Sequence, residues 1–293
     1  MFDYMLLLVG EQPIPNLLPV LFLKPKNVIL VYSERTKEQT NNLTQLLENK
    51  GIHCDRQKVD AYQISAATQI MQDAVKGISD KLIINLTGAT KLMSIAAYEL
   101  ARINQVSFVY LESEKCKSLL HFYTPNDSSF LLTDTQELDE LITLDDYFRC
   151  YGLEYSDGKY GSGSGQWFEK SVVSTLQKAG FEVKCCVIFD RFGKQLEIDV
   201  VVRLKNQLGV LECKDSARNP KKGIDQLNTA GGREFLGTYI GKFLVCTHPM
   251  NNDLKELALA RGIELIELLS SSSPSLSTTD EIKLTETIRK KLS

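Results

Sequence analysis

The sequence has one tryptophan, three histidines and no C-x-x-C pair among its seven cysteines. Thiols scattered in odd number fit a reduced compartment better than a disulfide framework, because bridges need pairs and an oxidising space. His53, His121 and His248 are dispersed along the chain and give no support for a zinc site. Long hydrophobic runs are missing too: Met5 to Val9 and Leu17 to Leu23 fall well short of the ~20 residues that span a bilayer. The start, MFDYMLLLVGEQ, has neither a basic n-region nor a small-residue cleavage site. A cytoplasmic protein with free thiols and no membrane partner is therefore expected. Nor is there an excess of one charge. The 34 Lys and Arg face 37 Asp and Glu, a net charge of −3, which excludes a wholesale basic coat for nucleic acid. The main local excess lies in Lys184 to Lys222, with nine basic and five acidic residues. A phosphate backbone or a plain solvated face fits that stretch equally well.

What is present is enough for two ordinary domains: 293 residues, 43% hydrophobic and 24% charged. Up to about Ser129, short apolar runs alternate with segments of helical period, the pattern of an open α/β sheet. Strands are expected at Tyr4 to Val9, Asn27 to Ser33, Cys54 to Val59, Leu82 to Thr87, Val106 to Leu111 and Ser118 to Tyr123. Helices are expected at Thr36 to Lys50, Ile64 to Ser79 and Ala89 to Asn104. From Thr133 the composition turns acidic and polar and runs into a Gly- and Ser-rich stretch, so residues 133–164 read as a linker between a domain at 1–132 and one at 165–293. The second domain is expected to open with a helix at Gln166 to Ala179 and strands at Phe181 to Phe189, Leu196 to Leu204 and Gln207 to Cys213. A helix near Gly223 to Phe235, a strand at Lys242 to Thr247 and a helix at Asn252 to Arg261 follow. A Ser-rich run over Ser270 to Ser277 then precedes a last helix, Glu281 to Leu292, capped by Thr279-Asp280.

The sharpest chemistry lies in Leu196-Glu197-Ile198-Asp199 and Leu211-Glu212-Cys213-Lys214. If Lys205 and Asn206 form a two-residue hairpin loop, counting back sets Asp199 opposite Glu212. Lys214 then shares a face with Glu212, and Glu197 with Asp199. Gathered carboxylates cost free energy unless a cation compensates, and a hard divalent metal is one such cation. A charged edge strand facing water is the other reading of the same alternation.

Three elements in order resemble the PD-(D/E)xK nuclease superfamily: Gly165-Gln166-Trp167-Phe168-Glu169 on a helix, Glu197-Ile198-Asp199 in the hairpin, and Glu212-Cys213-Lys214 on the next strand. The resemblance implies that Asp199 and Glu212 hold Mn²⁺ or Mg²⁺, that Glu169 completes or orients the site, and that Lys214 assists the water or stabilises charge on phosphorus. Glu197, Gln226 and Arg233 are weaker candidates.

In Leu82 to Met93, a buried strand runs through Thr87-Gly88-Ala89-Thr90-Lys91 into a helix. Ligands of open α/β sheets bind at the carboxyl ends of strands, and helix N-termini attract anions. An ordinary helix cap accounts for the same residues. The segment is not a P-loop, whose spacing it lacks. It resembles the ligand loop of CARF domains, the CRISPR-associated Rossmann sensors of cyclic oligoadenylate, and Val9 to Asn16 resembles the opening of the nuclease-bearing subgroup. That resemblance implies a pocket lined by Gln12, Ser33, Thr36, Thr87, Gly88, Ala89, Thr90 and Lys91. Ala89 departs from the glycine that many relatives carry.

Together the two resemblances imply an α/β chain with an N-terminal Rossmann-like CARF domain and a C-terminal restriction-endonuclease-like PD-(D/E)xK domain. The family it resembles, the ancillary nucleases of type III CRISPR defence, implies a homodimer activated by cyclic tetra-adenylate. Its substrates would be single-stranded RNA and DNA and supercoiled DNA. The alternatives are a non-catalytic cyclic-oligoadenylate sensor that regulates a partner or DNA binding, and a CARF pocket that cuts its own ligand.

Overall fold

The computed structural model describes residues 2–114, 117–158, 164–191, 194–215, 220–232, 235–269 and 275–292. The chain forms two compact units, Met1–Ile142 with Arg149–Gly152, and Thr143–Phe148 with Leu153–Ser293.

The first unit is built on a seven-stranded sheet in the order β3-β2-β1-β4-β5-β6-β7. Its strands are β1 (Tyr4–Leu8), β2 (Asn27–Tyr32), β3 (His53–Lys58), β4 (Leu82–Asn85), β5 (Phe108–Glu114), β6 (Lys117–Asn126) and β7 (Ser129–Glu137). The first five are parallel, and β6 and β7 extend the sheet antiparallel. Met5 to Leu8 are wholly buried, as a central parallel strand covered on both faces requires. Alternation sends Leu6, Leu8, Ile29, Val31 and Ile84 into one core with residues of α3 (Ile64–Ala74) and α4 (Lys91–Asn104). Two further helices, α1 (Ile14–Leu23) and α2 (Lys37–Asn49), follow β1 and β2. Helix α1 has no counterpart among the expected elements, because prolines 13, 15 and 19 argue against a helix. Pro13 and Pro15 sit at its start, where a missing N–H costs nothing, and only Pro19 lies inside.

Residues 133–164, expected as a linker, instead hold the end of β7, then α5 (Leu144–Cys150) and β8 (Glu154–Asp157). The polar composition there belongs to an edge strand: nearly every residue of β7 is exposed. Residues 159–163 and 270–274, within the expected glycine- and serine-rich links, lie outside the described residues.

The second unit carries a six-stranded sheet in the order β13-β12-β11-β10-β9-β8. Its remaining strands are β9 (Glu182–Arg191), β10 (Lys194–Leu204), β11 (Gln207–Lys214), β12 (Gly241–Cys246) and β13 (Ile263–Glu267). Pairing is antiparallel from β8 to β11 and parallel from β11 to β13. Two helices, α6 (Ser164–Lys178) and α9 (Thr278–Leu292), bury Phe168, Val172, Leu176, Leu284 and Ile288 against Val200, Val202, Leu211 and Phe243. Between β11 and β13 run α7 (Pro220–Ala230) and α8 (Asn252–Ala260). The expected cap of the last helix shifts by two residues: the Asp280 N–H donates to Ser277 Oγ at 3.2 Å, and Asp280 itself is buried, accepting from the Leu269 N–H at 3.0 Å. No helix among the described residues is long and apolar enough to cross a membrane.

Candidate functional site

The β10–β11 hairpin turns at Lys205 and Asn206, with Lys205 at a left-handed φ of 52° and Leu204 paired with Gln207. Register then runs back to Val200 opposite Leu211 and stops there. Asp199 and Glu212 are next in that count, yet they do not pair as ladder partners. The Asp199 carboxylate takes over: its Oδ2 accepts the Cys213 N–H at 2.7 Å. Glu212 is only 2% exposed, and Lys214 donates from Nζ to its Oε1. Gly223 of α7 closes over this pair, since a Cβ there would stand 3.0 Å from Glu212 Cγ and 3.3 Å from Lys214 Cε.

Burial pushes the Glu212 carboxyl up to about 7, and the charges of Asp199 and Glu169 add to the rise while Lys214 opposes it. Asp199 is raised as well, again chiefly by burial, with the Cys213 N–H and Lys214 pulling it back. For Lys214, burial favours the neutral amine, but Glu212 and Asp199 outweigh it and hold the ammonium above the usual lysine range. Glu169, half-buried on α6, acts on Glu212 and on the Cys213 and Cys186 thiols. The structure thus brings Glu169, Asp199, Glu212 and Lys214 together. Of the weaker candidates, Glu197 is exposed and touches the site only through its charge on Asp199. Gln226 lies on α7, half-buried, with a buried Oε1 that has no hydrogen-bond partner among the described residues. Arg233 lies outside the described residues.

Among the described residues no group of three or more His, Cys, Asp and Glu side chains is gathered to hold a metal. The donor set is the carboxylate pair Asp199 and Glu212. Both resist ionisation in the bare protein, so a cation would relieve an electrostatic cost already present. A hard ion such as Mg²⁺, which keeps its waters and takes one or two protein carboxylates, fits such a pair. A thiolate-seeking ion does not, because burial pushes Cys186 up to about 12 and Cys213 higher than usual.

In the first unit, the loops after β1 and β4 meet at the point where strand order reverses. A Cβ on Gly10 would stand 2.6 Å from the Ala89 nitrogen, and one on Gly88 would stand 2.7 Å from the Leu8 carbonyl oxygen. Gly88 has φ of 101° and Ala89 a left-handed φ of 55°. Two buried amides staple these loops: Asn16 Nδ2 donates to Leu8 O at 2.9 Å, and Asn85 Nδ2 donates to Pro15 O at 3.1 Å and Asn16 Oδ1 at 3.3 Å. Asn85 Oδ1 accepts the Thr87 N–H at 3.0 Å. Asn85 was readable as a polar residue ending the apolar strand Leu82-Ile83-Ile84; Asn16 and Gly10 carried no signal beyond the segment they sit in.

Several hydroxyls expected to face a ligand also bond the fold. Thr87 Oγ1 accepts the Leu111 N–H at 2.6 Å. Thr90 caps α4 by accepting the Met93 N–H at 3.2 Å, and donates to Ala61 O at 3.1 Å. Thr36 Oγ1 accepts the Ser33 N–H at 3.2 Å, both residues being buried. Gln12 Oε1 accepts from the Tyr151 hydroxyl at 2.7 Å, and Lys91 is exposed.

Residues 5–147 match the family model of the Card1 CARF domain. The match runs past residue 132, where the first domain was expected to end, to within α5. No curated protein matches the sequence. Among solved structures, Can2 from Sulfobacillus thermosulfidooxidans in complex with cyclic tetra-adenylate superposes with a TM-score of 0.79 at 19% identity, covering 99% of both chains. Protein VC1899 from Vibrio cholerae gives 0.79 at 14% identity over 97% of this chain and 96% of its own. A type III CRISPR defence DNA nuclease activated by cyclic oligoadenylate gives 0.66 at 14% identity, covering 98% of this chain and 52% of that one. The expected α/β fold with an N-terminal Rossmann-like CARF domain holds, and the Can2 structure shares the fold along the whole length.

Proposed function

We propose that this chain, whose residues 5–147 match the Card1 CARF domain, is an activator-gated, metal-dependent endonuclease of type III CRISPR antiviral defence in the cytoplasm. The activator is cyclic tetra-adenylate, the ligand named for the Can2 structure that shares this fold. It binds at the carboxyl ends of β1, β2 and β4, where the Gly88 and Ala89 backbone, Gln12 and Lys91 meet it. The threonine hydroxyls shape that floor rather than contact the ring. A ring with twofold symmetry suits two copies of the domain, so the working species is a homodimer. Activator and nuclease sites are distinct, and the gating is a coupling between them.

The observation that carries the nuclease reading is Glu212: a carboxylate 2% exposed, near Asp199 and within reach of the Glu169 charge, with its pKa pushed up to about 7. Asp199 and Glu212 would hold Mg²⁺ or Mn²⁺, which when bound would supply Lewis-acid neutralisation of phosphodiester charge. Lys214, kept as an ammonium, donates to a phosphate oxygen or orients the attacking water. Glu169 adds negative charge to the site, and Gly223 gives α7 a close approach to the Glu212–Lys214 pair. Single-stranded RNA, single-stranded DNA and supercoiled DNA are the substrates to test.

The deciding experiment offers each substrate to the protein with Mn²⁺ or Mg²⁺, with and without cyclic tetra-adenylate or cyclic hexa-adenylate. Cleavage that needs both a metal and cyclic tetra-adenylate is expected. Activator binding with no cleavage of any substrate would leave a sensor and discard the nuclease, and recovery of linear oligoadenylate would make the CARF pocket itself the catalyst.

A further inference from the structure

Asp199 stands at a gap in the sheet on both sides. Toward β11 the ladder ends one residue short of it. Toward β9 the register continues unbroken, with Ile198 opposite Val187 and Val200 opposite Cys185, but the pair between them, Asp199 with Cys186, is absent. Cys186 has a φ of 52°, a left-handed conformation that a residue with a Cβ enters at a cost and that strands do not use. Its carbonyl accepts the Gly158 N–H at 2.5 Å, one step beyond the β8–β9 pair of Asp157 with Val187. That approach leaves no room for a side chain, since a Cβ on Gly158 would stand 2.6 Å from the same oxygen. Two features therefore coincide opposite one carboxylate: a residue with left-handed φ and a glycine that only fits bare against its carbonyl.

We infer that Cys186 is a positioning residue for Asp199: its left-handed backbone, held by Gly158, interrupts the β9–β10 ladder at this one pair and sets the direction of the Asp199 carboxylate. Interruptions of this kind next to active sites re-aim a side chain, and strain persists there only where the surroundings over-determine it. The thiol is incidental. Burial keeps it protonated, and its role is filled by the backbone alone. The inference rests on the nuclease reading for its consequence, metal binding, but not for its geometry.

Three variants of the full chain test it, by calorimetric titration with Mn²⁺ and by amide hydrogen exchange at Gly158. Cys186→Gly keeps access to the left-handed region and should bind Mn²⁺ like the wild type with Gly158 protected. Cys186→Val, β-branched and excluded from that region, should restore a regular strand, expose the Gly158 amide to exchange and weaken Mn²⁺ binding by about ten- to a hundredfold, the range for losing a group that orients a ligand. Gly158→Ala should do the same from the other side, and decides the matter if Cys186→Val fails to fold. Wild-type affinity in Cys186→Val or Gly158→Ala would overturn the inference. So would a loss in Cys186→Gly equal to that in Cys186→Val, which would make the thiol the operative group. If the wild type itself holds no Mn²⁺, the nuclease reading fails, while protection of the Gly158 amide in wild type and Cys186→Gly, and its loss in Cys186→Val, still decides the backbone claim.

Discussion

Replacing Glu212 with glutamine should make the protein more stable at alkaline pH while destroying its activity. The folded carboxyl has a pKa of about 7 against an ordinary 4.5, because it is buried beside Asp199 and Glu169. Each pH unit of difference is worth ~1.4 kcal/mol, so ionised Glu212 costs the folded state about 3 kcal/mol once pH is well above 7. The sign follows from proton counts. Between 4.5 and 7 the folded form keeps a proton that the unfolded form has released, so stability is full below pH 4.5 and declines as pH rises through 7. The lone tryptophan, Trp167, packs against the core of the second unit and reports its unfolding. Urea melts followed by Trp167 fluorescence at pH 5 and pH 8, without metal, should show a loss on raising pH that is smaller in Glu212→Gln by up to about 3 kcal/mol. Asp199, raised in the same direction, leaves some slope in the variant. Mn²⁺ should recover stability at pH 8 in the wild type only. An equal pH-dependent loss in both proteins would refute the claim that Glu212 is held uncharged by its surroundings.

Lys214→Ala should lower cleavage by about a hundredfold or more, the usual cost of losing a donor to developing charge, while activator affinity measured by titration stays unchanged. Thr90→Ala should cost the first unit about 1 kcal/mol in thermal unfolding through the lost helix cap, whereas Lys91→Ala, exposed, should leave stability alone and raise the activator concentration needed for cleavage. Gly88→Ala places a Cβ 2.7 Å from Leu8 O at a φ of 101° and should destabilise by about 2 kcal/mol or more, while Ala89→Gly relieves a left-handed alanine and should stabilise by about 1 kcal/mol. Differential scanning calorimetry of the two separates backbone strain from loss of a side chain.

What the sequence made legible was whatever periodicity or spacing encodes. Nearly all the strands of the first sheet, the β10–β11 turn at Lys205 and Asn206, and the grouping of Asp199, Glu212 and Lys214 follow from alternation and counting. Features that break a local rule stayed hidden. Helix α1 was hidden by three prolines, two of which sit where a helix start tolerates them. Strand β7 and α5 were hidden by polarity, because an edge strand facing water has the composition of a linker. The threonines of the Thr87 to Lys91 loop are readable as ligand contacts or as an ordinary cap, and spacing does not say which atoms they bond. A hydroxyl can turn to a ligand or to a nearby N–H, and only the fold shows that Leu111 and Met93 claim them. Cys186 is the limiting case. Nothing in Val183-Lys184-Cys185-Cys186-Val187 marks one residue as left-handed, because the choice is made by a glycine 28 positions earlier whose amide takes the Cys186 carbonyl. The carboxylates of the site are thus encoded locally, but their aim is encoded in contacts between strands distant in sequence, which is why spacing could name Asp199 and could not say what directs it.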